Sequence, residues 1–305
     1  MENMLNDIIL LSKKYTVNGK VASYIPELKK ANGEDLGICV IDKNCDIYCA
    51  GDYKKKFTIQ SISKTIVLAL ALMDNKWDYV FSKVGMEPSG DPFNSIMKLD
   101  NNNIKKPCNP MINAGAIVTT SLIKGKNLQE KEERMLSFFK KLAKNDTLKI
   151  NQSVYESEKL TGDRNRAMAY LLKNDGIIEG NVDEILDLYF KQCSIEVDVV
   201  DLARIGLLFA NYGVDIETGE RVISENISRI VKIFMVTCGM YDASGEFALK
   251  VGIPAKSGVG GGIMASVPTK MGIGVFGPAL DMKGNSIGGI KVLENLSRKL
   301  QLSII

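Results

Sequence analysis

The sequence predicts an α+β protein: an antiparallel sheet flanked by helices, with an all-helical lobe inserted between its strands. Three observations carry this. Strand-type runs cluster near the two ends, at 37–59 and after Pro254; helical periodicity dominates from Trp77 to Asn211; and a continuous apolar run, 66–72, implies a helix buried on most sides between them. The expected division is a sheet lobe of residues 1–66 with 240–305 and a helical lobe of 67–239, together one composite catalytic domain. At 305 residues and 45% hydrophobic content the chain can bury a large core.

Taken in order, residues 5–13 read as a short amphipathic helix. Tyr24 stands just before Ile25-Pro26, where the backbone is pushed out of the helical region, and a packed ring is its plain reading. Residues 37–41 and 46–50 form a hairpin around the turn-forming 42–45, and 57–59 is strand-like. Residues 86–92 are turn chemistry, and Asn101-Asn102-Asn103 is a polar loop. A rigid loop then enters a small-residue helix at Asn113, which serves either as its N-cap or as a ligand contact. Residues 128–142 make a surface helix with one apolar stripe.

Thr161 or Asp163 is expected to cap a helix through Leu172, with Glu158 and Asn165 read as solvated polar residues. Residues 182–190 and 199–210 are further helices, the second stopped by Asn211-Tyr212-Gly213, and 227–238 keeps the helical period. Residues 241–245 read as a turn whose Tyr241 is either core or a phenol placed to share a proton. Strands follow at 255–267 and 271–276. Four glycines within 258–262 weaken a strand unless something approaches its backbone closely, a substrate being one such reason. A last helix, 287–302, covers the sheet.

The chemistry-bearing stretch is Ser61-Ile62-Ser63-Lys64, at the head of the buried helix. Residues three apart share a helix face, so the Ser61 hydroxyl and the Lys64 amine can meet at its first turn. A serine is a poor nucleophile until a neighbour takes its proton, and a lysine does so only when its pKa is depressed. Burial, a second cation or a helix N-terminus does this, and free backbone N–H groups at the same turn can hold an oxyanion. Lys256-Ser257-Gly258, on a late strand, adds a cation and a hydroxyl expected to lower the Lys64 pKa from across the site.

Composition narrows the options. The chain has no histidine, which excludes Ser-His-Asp and Cys-His catalysis and most zinc and non-haem iron sites. Its formal charge of +3 comes from interspersed charges, so nucleic acid is not an expected partner. Cys39, Cys45, Cys49, Cys108, Cys193 and Cys238 contain no Cys-x-x-Cys pair. A zinc site from the first four is conceivable, but the spacing fits no common knuckle, and small core residues of a reducing compartment describe them better. The first seven residues are acidic and polar and no apolar run reaches bilayer length, giving a cytoplasmic expectation with no membrane partner.

The order of Ser-x-x-Lys, helical lobe and late Lys-Ser-Gly resembles the serine β-lactamase and penicillin-binding superfamily. The expected Ser-x-Asn element is represented only by Ser224-Glu225-Asn226, which reads better as a helix cap. The sequence resembles more closely the bacterial and mitochondrial type of serine-dependent glutaminase, similar in fold to that superfamily. The likeness spans nearly the whole chain, through Tyr24-Ile25-Pro26-Glu27-Leu28, Gln60-Ser61-Ile62-Ser63-Lys64, Glu87-Pro88-Ser89-Gly90-Asp91-Pro92-Phe93-Asn94, Asn109-Pro110-Met111-Ile112-Asn113-Ala114-Gly115, Gly162-Asp163-Arg164-Asn165, Cys193-Ser194-Ile195-Glu196-Val197, Cys238-Gly239-Met240-Tyr241-Asp242 and Pro254-Ala255-Lys256-Ser257-Gly258-Val259.

The resemblance implies hydrolysis of L-glutamine to L-glutamate and ammonia without a cofactor, through a glutamyl ester on Ser61 with Lys64 as base. It implies that Tyr241 assists proton traffic and that the N–H groups of Ser61 and Val259 form the oxyanion hole. Asn113, Glu158, Asn165, Tyr189 and Tyr24 would hold the α-amino and α-carboxylate groups, with Gln60 beside them. It also implies a homo-oligomer, a tetramer or a dimer. The alternatives are a penicillin-recognising hydrolase or transpeptidase acylated at Ser61, and a non-catalytic glutamine-binding descendant; the presence of both Ser61 and Lys64 argues against the latter.

Overall fold

β1 (Gly37–Asp42) and β2 (Ile47–Gly51) form the expected hairpin, with Gly37 opposite Gly51 and Ile41 opposite Ile47. β1 pairs on its other edge with β7 (Met271–Phe276), so the two ends of the chain share one sheet. With β5 (Ala255–Ser257) and β6 (Gly262–Val267) the strand order is β2-β1-β7-β6-β5, every neighbouring pair antiparallel. The structure, a computed structural model, describes residues 1–90, 92–95 and 105–305. The expected Asn101-Asn102-Asn103 loop and Asp91 lie outside the described residues.

Both faces of the sheet are covered, and the period of two sorts the side chains. Ile38, Val40, Ile273 and Val275 pack against Leu5 and Ile8 of α1 (Glu2–Lys13) and Val292 and Leu296 of α12 (Ile287–Leu300). Cys39, Ile41 and Met264 join the larger cluster on the opposite face. There α9 (Val199–Ala210) lies across β1, β6 and β7, its start fixed by a capping box between Asp198 and Asp201.

α2 (Ser63–Asp74) is the central helix, buried from Ser63 through Leu72. Gln60–Ile62 form a 3-10 turn that enters it, so Ser61 sits one turn ahead of the helix proper. β3 (Phe57–Thr58) pairs not with the main sheet but with β4 (Glu196–Val197), a strand the sequence did not indicate because two residues are too few to show alternation. The ladder continues as the Ile59 N–H donates to Ile195 O at 2.9 Å, pinning the turn that carries Ser61.

The remaining helices are α3 (Trp77–Lys83), α4 (Asn113–Ser121), α5 (Leu128–Ala143), α6 (Gln152–Thr161), α7 (Asp163–Asn174), α8 (Val182–Cys193), α10 (Glu225–Cys238) and α11 (Ser244–Lys250). Ser224 caps α10 as expected, accepting from the Ile227 N–H. Three local expectations change. Ile112, not Asn113, holds the N-cap position of α4, and Asn109 Oδ1 takes the Met111 and Ile112 N–H groups instead, which frees the Asn113 side chain. Neither Thr161 nor Asp163 caps α7; Gly162 occupies that position. Residues 241–243 form a 3-10 turn that runs on into α11, a seven-residue helix too short to print a period on the sequence.

The glycines at 258–262 have a reason of their own. A Cβ on Gly258 would stand 2.7 Å from Ile59 O, and one on Gly260 2.6 Å from Thr58 O. What approaches this strand is the chain's own backbone, the segment carrying Ser61. Gly258→Ala should therefore destabilise the fold by about 1–3 kcal/mol through overpacking, read as a lower urea midpoint at unchanged m-value, and should lower activity by shifting the 59–61 segment. An unchanged midpoint would mean that the segment yields freely.

Candidate active site

Ser61, Gln60, Tyr24, Asn113, Glu158, Asn165 and Tyr189 line one cavity of about 230 Å³, together with Ile25, Phe93, Asn94, Arg164 and Cys193 among others. The structure thus brings seven of the expected residues around one space of amino-acid size. The backbone that carries Ser61 is strained at its neighbour: Gln60 has φ +50°, a left-handed conformation unfavourable for a residue with a Cβ. The 3-10 turn and the β3–β4 ladder hold it there.

Lys64 stands behind the cavity wall, fully buried. Its Nζ donates to Asn113 Oδ1 at 2.7 Å and to Met111 O at 3.1 Å, both from the start of α4. Asn113 completes a relay, its Nδ2 donating to Asn165 Oδ1 at 3.1 Å. Burial lowers the Lys64 pKa to about 8, against weaker opposing pulls from Cys193 and Glu158. The Ser61 oxygen is not among the hydrogen-bonded partners of Lys64 in the described residues.

Glu158, on α6, presents the reverse case. Burial pushes its carboxyl up to about 8, opposed by a hydrogen bond with Gln60 and by the Lys64 charge. Its Oε2 is buried without a partner. The expectation of a solvated Glu158 is therefore overturned: an uncompensated carboxyl aimed at a polar cavity is a receptor for a cation, which would restore its charge. Asn165 likewise faces the cavity and not solvent alone.

Tyr241 has φ +56° in its 3-10 turn, where Ser244 Oγ donates to Tyr241 O at 2.8 Å and accepts the Met240 N–H. Its phenol is raised above the ordinary value by burial, opposed first by an interaction with Ser61 and also by the Val259 N–H. No hydrogen bond of good geometry closes on the phenol oxygen among the described residues, so these are proximities more than formed bonds. Neither Tyr241 nor Val259 lines the cavity that holds Ser61; Val259 borders an adjoining cavity of about 420 Å³ with Tyr24 and Phe93.

Tyr24 keeps more than half its surface exposed, yet its phenol end is crowded enough for burial, then Tyr241 and Glu158, to raise its pKa. Tyr189 is fully enclosed and raised by burial first. Lys256 and Ser257 do not line the cavity. Lys256 lies beneath the Tyr241 ring, Nζ 4.3 Å from its centroid, and donates to Ser257 O at 2.7 Å. Burial and then the Lys64 charge drive Lys256 well below the ordinary lysine value, and the repulsion between the two amines acts on both. Sequence reasoning missed Cys193, Phe93 and Arg164. Cys193 was discoverable, one turn after Tyr189 on the same face of α8.

Antiparallel sheet, buried serine turn and enclosed lysine define a hydrolase of the β-lactamase-like fold. The family model described as Glutaminase matches residues 19–305. The chain is 74% identical over 303 residues to a glutaminase of Clostridioides difficile (strain 630), covering 99% of this chain and 98% of that one. It is 60% identical to glutaminase 2 of Clostridium perfringens (strain 13 / Type A) over the full length of both. Among solved structures it resembles a Bacillus subtilis glutaminase in covalent complex with 5-oxo-L-norleucine, formed by reaction with 6-diazo-5-oxo-L-norleucine, at 39% identity and TM-score 0.91, covering 100% of this chain and 99% of that one. The chain belongs to the glutaminase family, and it is an enzyme of that amidohydrolase class.

The raised Glu158 pKa has a consequence for stability. An ordinary carboxyl loses its proton near 4.5, whereas in the fold Glu158 keeps it to about 8. Between these values the folded state holds the extra proton, so this group's contribution to stability falls as pH rises. Glu158→Gln removes that loss. The variant should be more stable than the parent near pH 9, by on the order of a few kcal/mol, with the gap closing toward about pH 5. Urea unfolding at the two pH values checks this; a gap independent of pH would overturn it.

Proposed function

We propose that the chain hydrolyses the side-chain amide of L-glutamine to L-glutamate and ammonia through an ester on Ser61, needing no cofactor. The observation that carries this is one cavity holding both Ser61 and the bare Oε2 of Glu158, a nucleophile and an ammonium receptor within one amino acid's reach. Glu158 takes the α-ammonium; Asn113, Asn165, Tyr189 and Tyr24 supply amide and phenol groups for the α-carboxylate, with Gln60 holding Glu158 in place. Arg164 at the cavity mouth adds the cation that a carboxylate favours.

Lys64 acts as the base. A neutral amine has two N–H groups and one lone pair. Met111 O and Asn113 Oδ1 occupy the two donors, which leaves the lone pair for the Ser61 proton. Oγ then attacks the amide carbon, the N–H groups of Ser61 and Val259 receive the developing oxyanion, and the C–N bond breaks as ammonia leaves with a proton from Tyr241 or Lys64. Water hydrolyses the glutamyl ester and the proton returns to Ser61. The relative that reacts covalently with 6-diazo-5-oxo-L-norleucine supports this reading, since that amino acid carries its carbonyl where glutamine carries its amide carbon. Lys256 and Ser257 act as supports, Lys256 by filling the space under the Tyr241 ring.

The segments 1–66 with 240–305 and 67–239 both contribute cavity residues, and α9 from the second lies on the sheet of the first, which supports their assignment as one composite catalytic domain. A cytoplasmic location and a homo-oligomer of four or two copies complete the proposal. Among the described residues, no helix is long and apolar enough to cross a membrane.

Ammonia release from L-glutamine should fall to background in Ser61→Ala with the melting temperature retained, and by about 10²–10⁴-fold in Lys64→Met. Faster turnover of L-asparagine, or hydrolysis of nitrocefin without glutamine turnover, would overturn the substrate assignment. Working Lys64 is neutral and working Glu158 ionised, so kcat/KM should rise with pH and level off above about 8. A profile falling across that range would exclude the lysine base.

A further inference from the structure

Cys39 and Cys49 stand directly opposite one another on β1 and β2. Hydrogen bonds at the two ends of the hairpin set the phase of the ladder: the Asp42 N–H donates to Asp46 O, and the Asp52 N–H donates to Leu36 O. Bonded and non-bonded pairs alternate along an antiparallel ladder. Stepping inward from either end makes 38/50 and 40/48 bonded pairs, which leaves 39/49 a non-bonded pair, the closer kind. Such residues have Cα atoms about 4.5 Å apart, at the short end of the roughly 4.4–6.8 Å a disulfide spans.

Both side chains leave the sheet on one face. Cys39 is fully buried in the cluster beneath α9, and the half-buried Cys49 packs against the same cluster. Their thiols are free and in contact, and that contact holds Cys49 below and Cys39 above the ordinary thiol value. Cys49, half-buried on β2, is the more accessible of the two. β2 is the edge strand, paired only with β1 in the main sheet. Neither cysteine lines the substrate cavity.

We propose that Cys39 and Cys49 form a reversible oxidation site, a cross-strand dithiol that a peroxide converts to a disulfide. The Cys49 thiolate attacks the peroxide O–O bond, giving a sulfenic acid and, after protonation, water or an alcohol. Cys39 Sγ then attacks the sulfenic sulfur, the S–O bond breaks, and the hydroxyl leaves as water with the Cys39 proton. Two thiols are oxidised and one peroxide is reduced. Two monothiols of the glutathione class reduce the bridge again by thiol–disulfide exchange and leave as their own disulfide. The bridge staples the sheet edge, so the oxidised form resists unfolding more than the reduced one.

The test exposes the whole chain to hydrogen peroxide, blocks remaining thiols under denaturing conditions and maps tryptic peptides by mass spectrometry. Lys43 lies between the two cysteines, so trypsin separates them unless they are bridged; Cys45 shares the 44–54 peptide with Cys49, and fragmentation between these two assigns the bridged sulfur. The expected product is the linked peptide pair lacking two hydrogens, lost on dithiothreitol treatment, together with a raised melting temperature absent from Cys39→Ser and Cys49→Ser. In Cys39→Ser the Cys49 sulfenic acid persists, so dimedone labels it more heavily than in the parent. A parent that carries Cys49 to the sulfinic acid without a bridge, that bridges Cys45 instead, or that labels as heavily as Cys39→Ser overturns the proposal.

Discussion

The Lys64 ammonium hangs from two oxygens, Met111 O and Asn113 Oδ1, with no surface open to water. The site's arrangement follows from accommodating that one group. Enclosure lowers the pKa of the amine into the working range, and the two acceptors set its direction. The acceptors in turn fix α4 against α2, and Asn113 extends the hold to Asn165 on α7. In the role proposed for Lys64, a chain without histidine would reach base chemistry by wrapping a lysine in apolar helix.

The serine is positioned by a second constraint, the close stacking of backbone on backbone. The 58–60 segment crosses the glycine-rich turn between β5 and β6 at distances that leave no room for a Cβ, and the β3–β4 ladder holds it from the other side. Gln60, next to Ser61 in the chain, and Tyr241 both adopt left-handed backbone conformations. Each costs of order 1–3 kcal/mol and persists because the surroundings over-determine it. Rigidity at the serine is thus maintained by packing and ladder contacts, and the strain is local to the chemistry.

Much of this was legible in the sequence because it is written in short periods. The hairpin of β1 and β2, the apolar run of α2 and the cap at Ser224 all depend on residues a few positions apart. Of the seven cavity residues spread from Tyr24 to Tyr189, the spacing pattern singles out Ser61; the roles of the other six come from the resemblance and not from periodicity, which reads Glu158 and Asn165 as solvated. What escaped were features made by tertiary contact: the two-residue β4, the short α11 and the Asn109 that relieves Asn113 of capping. No local pattern records which distant backbone groups a side chain will take.

The bare oxygen of Glu158 carries a consequence beyond recognition. In the roles proposed for them, Glu158 works deprotonated and Lys64 works neutral, and both reach those forms as the medium turns alkaline. The ammonia set free takes up the proton that the new side-chain carboxyl gives up, so turnover near neutrality leaves the acidity of the medium unchanged. In the proposed roles the rate would therefore follow the pH imposed from outside and not the progress of the reaction itself.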